Sequence, residues 1–238
     1  MEFTTWDVLR NLLLAARWTI ALSAMAFLGG GLAGLLLLAV RIEGGRLARH
    51  CAKAYIEVFQ GTPLLMQLFL VYFGLPLAGL DVPAWLAALL GLTLAASAYL
   101  AEIWRGCVEA VPIGQSEAAA ALGLHRGRQA QLVVLPQALR IAIAPTVGFL
   151  VQLVKSTALT SVIGFNELLK TANVINNATF APLLVYGLVA VIYFALCYPL
   201  TYASRLLERS LTRTGGSGLF NAAGWAALRP PCCIQGAK

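Results

Sequence analysis

The chain has 238 residues, 60% of them hydrophobic and only 11% charged, with a mean hydropathy of +0.80. Soluble domains carry about 25% charged residues, so this composition excludes a soluble globular domain and points to an all-α membrane protein. The net charge of +7 does not mark a nucleic-acid binder, because the basic residues form no patch with interleaved aromatics; they fall between apolar runs, as the positive-inside rule predicts.

In chain order, residues 1–17 read as an extracytoplasmic N-terminal segment. No cleavable signal peptide is expected, since Glu2 and Asp7 are acidic and the apolar run continues past Ile20 without a small-residue cleavage site. The first span is expected over about Trp18 to Val40. Its GGGLAG stretch, Gly29 to Gly34, suits close helix packing. It is no phosphate loop, because its last glycine, Gly34, is followed by Leu35 and Leu36 rather than by Lys and then Ser or Thr. The same pattern is missing elsewhere, so the chain carries no ATP site of that kind. A basic loop with Arg41, Arg46, Arg49 and Lys53 follows and should face the cytoplasm. A second span, about Tyr55 to Ala78, is interrupted at Gly61-Thr62-Pro63. After a short turn with Asp81 and Pro83, a third span covers about Ala84 to Trp104.

A polar central segment of about residues 112–136 comes next. A fourth span covers about Ile141 to Leu159. An outer loop is expected to hold Asn166, Glu167, Lys170, Asn173, Asn176 and Asn177, and a fifth span covers about Pro182 to Ser204. The pattern is therefore about five transmembrane helices with the N-terminus outside. That orientation puts thirteen of the 17 Lys and Arg residues on the cytoplasmic side. Residues 18–209 form the membrane domain, and residues 210–238 read as a disordered cytoplasmic tail, broken by Gly, Ser and Pro. Cys51, Cys107, Cys197, Cys232 and Cys233 show neither a disulfide framework nor metal-ligand spacing, and His50 and His125 read as surface residues. No metal, cofactor or catalytic constellation is expected.

The central segment, EAAAALGLHRGRQAQLVVLP from Glu117 to Pro136, is unlike its surroundings. Ser116 is a preferred N-cap and Glu117 suits the positive end of a helix dipole. Alanines 118–121 favour a narrow, smooth helix. Gly123 lets it stop and turn. An amphipathic stretch from His125 to Leu135 follows, and Pro136 suits the opening of the next helix. This describes a short cytoplasmic helix parallel to the bilayer with a small face. It either docks on a partner or lies in the headgroups.

Glu117-Ala118-Ala119, Gly123 after three more residues, and Val133-Val134-Leu135-Pro136 after nine more resemble the signature of permease subunits of bacterial ATP-binding-cassette importers. Val133 replaces the usual Ile. The resemblance extends through Phe59–Gln67, Ala98–Gly106, Val111–Gln115, Leu135–Arg140 and Lys155–Leu159, and these stretches are similar to the polar amino acid and opine uptake branch. Gln60 stands where that branch usually has Arg, and Ser156 where Asp is common.

The resemblance implies the type I importer permease fold, with a coupling helix between spans three and four. Glu117, Ala118, Ala119, Gly123, Leu135 and Pro136 would couple the chain to an ATPase subunit dimer. It further implies a second permease subunit, identical or paralogous, and a periplasmic or lipid-anchored substrate-binding protein. The chain would then be a multi-pass inner-membrane subunit that performs no covalent chemistry. From the residues themselves, Thr62, Gln67, Lys155 and Ser156 are candidates for the translocation pathway, because helix breaks and charges within a membrane tend to line cavities. Glu102 and Arg105, three apart, suit an ion pair along one helix face. The rival reading is a membrane scaffold or sensor that docks a partner without transporting. A carrier driven by an ion gradient is disfavoured, as the chain shows no internal repeat.

Overall fold

The structure is a computed structural model describing residues 4–214, all of whose regular elements are helical. Nine α-helices run as α1 Thr5–Glu43, α2 Arg46–Gly61, α3 Leu64–Leu77, α4 Ala84–Glu109, α5 Ile113–Ala121, α6 Arg126–Gln129, α7 Leu135–Ser156, α8 Leu168–Thr179 and α9 Pro182–Thr214. A π-helical turn, Ala130–Val134, joins α6 to α7, and a 3-10 turn, Thr157–Ser161, ends α7. Four helical stretches are long and apolar enough to cross a bilayer: Thr5–Ile42, Ala84–Glu109, Arg126–Ser161 and Pro182–Glu208. The bent pair α2 and α3 makes a fifth when counted as one span.

α4 is the centre of the bundle. Its small residues Ala87, Ala88, Gly91, Ala96, Ala98 and Ala101 are buried, which lets neighbouring backbones come close. α1 uses this most. A Cβ added to Gly30 would lie 2.5 Å from the Cβ of Ala96, and one added to Gly34 would lie 3.1 Å from the Ser97 carbonyl oxygen. The expectation of close packing at Gly29–Gly34 is thus met by a specific partner. In a membrane, where lipid removes the hydrophobic drive between helices, such van der Waals contact is a main source of association. Around this seam Leu22 and Ala26 of α1, Leu68 of α3, Leu92 of α4 and Leu153 of α7 form one apolar core. Val8, Leu12 and Ala16 form another with α8 and α9.

Several boundaries differ from the sequence expectation. The first helix begins at Thr5 rather than near Trp18, because residues 8, 12 and 16 already pack against α8 and α9. The basic stretch expected as a loop is helical from Arg46 and buries Ala52 and Ile56. The second span, by contrast, breaks at Gly61-Thr62-Pro63 as expected, into two helices with a 107° bend between them. The fifth helix continues past Ser204 through Thr214. The expectation for the tail falls largely on residues 215–238, outside the described residues, together with Cys232 and Cys233.

The largest difference is the expected outer loop. It contains α8, and Glu167, expected in solvent, is fully buried at the N-cap. One carboxylate oxygen accepts from the Lys170 backbone N–H at 2.9 Å; the other accepts from Thr19 Oγ1 at 3.3 Å and Tyr193 Oη at 3.1 Å. The acid therefore ties α8 to α1 and α9. Its donors at Thr19 and Tyr193 are remote in sequence, so local polarity alone reads as a loop.

Two outcomes follow. Gly30→Ala forces a methyl into Ala96 and is expected to cost about 1–3 kcal/mol by overpacking, lowering the thermal midpoint in detergent, whereas Gly187→Ala, which meets open space, does not. Glu167→Ala leaves buried donors unpaired and is expected to cost about 1–3 kcal/mol, read in the same thermal assay.

Candidate coupling site

The polar segment forms a rooted, projecting unit. α4 ends at Glu109, Val111 is buried, and Pro112 occupies the N-cap of α5. Proline already has the φ a helix start needs. The sequence expectation that Ser116 caps a helix beginning at Glu117 is corrected: α5 begins at Ile113, with Ser116 inside it. Proline's fixed geometry starts the helix earlier, and the serine makes no cap hydrogen bond.

The other end follows the expectation. Gly123 has φ +78°, a left-handed conformation that disfavours any residue with a Cβ. Its N–H donates to the Ala120 carbonyl at 2.9 Å, and the Leu124 N–H donates to Ala119 at 3.2 Å. This pair of bonds is a Schellman motif, which satisfies carbonyls left open at a helix end. Within α5 only Ala119 is buried, and the helix packs against the π turn and α6. Glu117, Ala118, Ala120, Ala121 and Leu122 are exposed. The result is a short helix whose second half exposes only the Glu117 carboxylate and the methyl groups of Ala118, Ala120 and Ala121, with Ile113 and Gln115 exposed in its first turn.

The return path is also built locally. His125, exposed as expected, also caps α6: its Nδ1 accepts from the backbone N–H groups of Gly127 and Arg128 at 3.1 and 3.3 Å. The Leu135 N–H reaches the Ala130 carbonyl, a π-type bond. Pro136 then sits in the first turn of α7, where its missing N–H does least harm. Gln137 donates to the Val133 carbonyl at 3.1 Å and meets Gln115 of α5 at 3.5 Å. Leu135 and Pro136 therefore shape the root of α7, while Glu117, Ala118 and Gly123 lie on the projecting unit itself.

Of the pathway candidates, Gln67 is buried, and its amide nitrogen donates to the Phe59 carbonyl at 2.8 Å, the Thr62 carbonyl at 3.0 Å and Thr62 Oγ1 at 2.9 Å. It thereby satisfies carbonyls opened by the bend between α2 and α3. Its Oε1 has no partner among the described residues. Thr62 Oγ1 in turn donates to Val58. Lys155 is exposed on α7, one residue before Ser156, whose hydroxyl donates to the Gln152 carbonyl at 2.9 Å. The pair expected at Glu102 and Arg105 is present and extends to Arg41 and Glu109. Among the described residues no group of His, Cys, Asp and Glu could hold a metal ion.

The chain is an all-helical bundle of apolar spans with a short helix hung between two of them. Residues 26–213 match the family described as "Binding-protein-dependent transport system inner membrane component"; the chain belongs to that family. It is 36% identical over 208 residues to the glutamine transport system permease protein GlnP of Escherichia coli (strain K12), covering 87% of this chain and 95% of that one. It is also 36% identical over 192 residues to the probable amino-acid ABC transporter permease protein YckA of Bacillus subtilis (strain 168), covering 81% and 85%. A crystal structure of an amino acid ABC transporter with histidines superposes with a TM-score of 0.83 at 32% identity, over 88% of this chain and 100% of the other. The MetNI methionine ABC transporter in inward facing conformations shares the fold, with a TM-score of 0.68 at 21% identity over 84% and 96%.

Gly123→Ala would hold an L residue in left-handed backbone at a cost of roughly 1–2 kcal/mol. The expected outcome is faster amide exchange at residues 123 and 124 than in the parent. Gly114→Ala, which meets open space in a helix, leaves exchange there unchanged.

Proposed function

We infer that the chain works as the permease subunit of an amino acid importer, with Glu117 to Gly123 as the segment that seats on a separate ATPase subunit. The observation that carries this is α5: a helix with an exposed alanine face, stopped by Gly123 in left-handed backbone and rooted between two spans. The alanine face, Ala118, Ala120 and Ala121, lets another protein approach the helix backbone closely, beside the exposed Leu122 side chain. The family membership and the printed names of the relatives support the transport role and give the scaffold reading no support. The chain is a transport component and not itself an enzyme; hydrolysis belongs to the ATPase chain.

In this reading two ATPase subunits sit beneath two permeases, identical or paralogous, and a binding protein delivers a polar amino acid or opine from the other side. The charge distribution supports placing the N-terminus outside and α5 in the cytoplasm. ATP binding closes the ATPase pair, drives α5 and turns the pathway outward; hydrolysis resets it. α7 supports a place for the pathway and the second permease. It exposes Gly148, Gln152 and Lys155 on one face, and a lysine facing lipid within a span is costly. We assign Lys155 and Ser156 to that face, with Thr62 and Gln67 at the helix break as further pathway residues.

The test is uptake into membranes holding this chain with its ATPase and binding protein, using labelled glutamine, arginine, histidine, glutamate and octopine. The expected result is ATP-dependent, binding-protein-dependent uptake of at least one of them, abolished by Gly123→Asp while the chain remains in the membrane. Normal uptake in Gly123→Asp would overturn the role given to this segment.

A further inference from the structure

The inner end of α4 carries a polar cluster that the docking reading leaves unused. Glu102 sits between two guanidinium groups. Arg41 of α1 donates to its Oε2 at 2.6 Å, and Arg105, one turn along α4, donates to both oxygens at 2.5–3.1 Å. Arg105 also pairs with Glu109. On the same turn the Trp104 indole N–H donates to Thr146 Oγ1 of α7 at 2.9 Å. The side chains of Arg41, Arg105 and Glu102 are only 17%, 29% and 32% exposed. One turn of α4 thus holds α1 through an ion pair and α7 through a hydrogen bond.

Its position gives these contacts a use. Glu109 ends α4, and α5 begins at Ile113 after three residues. The docking segment hangs from α4 on one side and returns into α7 on the other, and Trp104 and Thr146 join those two roots. Further along, α1 and α4 are held by the small-residue seam at Gly29–Gly34. That contact is steric, and it stays intact when the polar cluster is removed. Directional bonds of the cluster resist a twist or slide of the α4 end that a smooth seam tolerates.

We propose that the Glu102–Arg105 turn is the joint that passes displacement of α5 to α1, α4 and α7 as one body, with Glu102, Arg41 and Trp104 as positioning residues. The inference rests on the coupling reading above. It is tested on the full complex with its ATPase subunits, the native cysteines replaced by alanine. Spin labels are placed at Leu122→Cys on the docking segment or Leu80→Cys in the turn before α4, both exposed positions. Label distances between the two permeases are measured with and without ATP.

In the parent background both label pairs are expected to shift. In Glu102→Gln, the Leu122 pair shifts as in the parent, while the shifted-to-unshifted ratio at Leu80 falls about twofold to thirtyfold, the span for mutations that modulate coupling. Arg41→Gln and Trp104→Phe are expected to act in the same direction, and Arg41→Lys to restore the response. Should Glu102→Gln fail to assemble, the Arg41 and Trp104 variants carry the test. A residue needed only for stability would lower assembly without separating the two label pairs. A parental Leu80 response in the assembled variants overturns the proposal. An ATP response missing at Leu122 in the parent overturns the coupling reading itself, and the joint with it.

Discussion

The contact on which the bundle depends is the one between α1 and α4, where Gly30 meets Ala96 with no room for a methyl group. In water, burial of apolar area would hold two such helices together; in lipid that drive is gone, and close packing takes its place. Small side chains along α4 make the approach possible, and α2, α3 and α7 pack on the same helix. α4 consequently serves as the axis of the membrane domain. It is also the helix that leads into α5, the segment proposed to dock.

That dual position links fold to function. A docking helix tethered by a loose loop would move without moving the spans. Here, three residues separate the axis from α5, and the return path is stiffened by the His125 cap, the π turn and Gln137. The geometry of α5 complements this. Its alanines keep the free surface narrow, and the left-handed Gly123 ends it with its terminal carbonyls satisfied. Separately, Glu167 fastens α8 between α1 and α9, so the far end of the bundle is closed by a buried polar pin rather than by a free loop.

Much of this was legible in the sequence because it is encoded locally. The apolar runs, the small-residue seam, the helix stop at Gly123 and the Glu102–Arg105 pair each depend on residues a few positions apart. What was not legible depends on distant partners or on competition between local signals. The partners of Glu167 include Thr19, 148 residues earlier, so a polar stretch that reads as a loop folds into a buried helix cap. Residues 5–17 look peripheral until α8 and α9 supply a surface for Val8 and Leu12. Ser116 is a fair N-cap on propensity, yet Pro112 starts the helix first. Gln67 is legible only as a polar residue beside a helix break; that its amide satisfies the carbonyls of that break depends on how α2 and α3 bend. The ion pair that Glu102 makes with Arg41 spans 61 residues, and only its local half with Arg105 could be read from spacing.

The central claim is that the exposed face of α5 meets an ATPase subunit and does not lie among lipid headgroups. The most direct measurement places a photo-crosslinking amino acid at Leu122 in membranes that contain the whole transporter. The account expects a crosslink to the ATPase subunit whose yield changes when ATP is added, and none from the same probe at Leu183, which is exposed at the far end of α9. Crosslinks from Leu122 to lipid alone, with the ATPase present and bound, would contradict it.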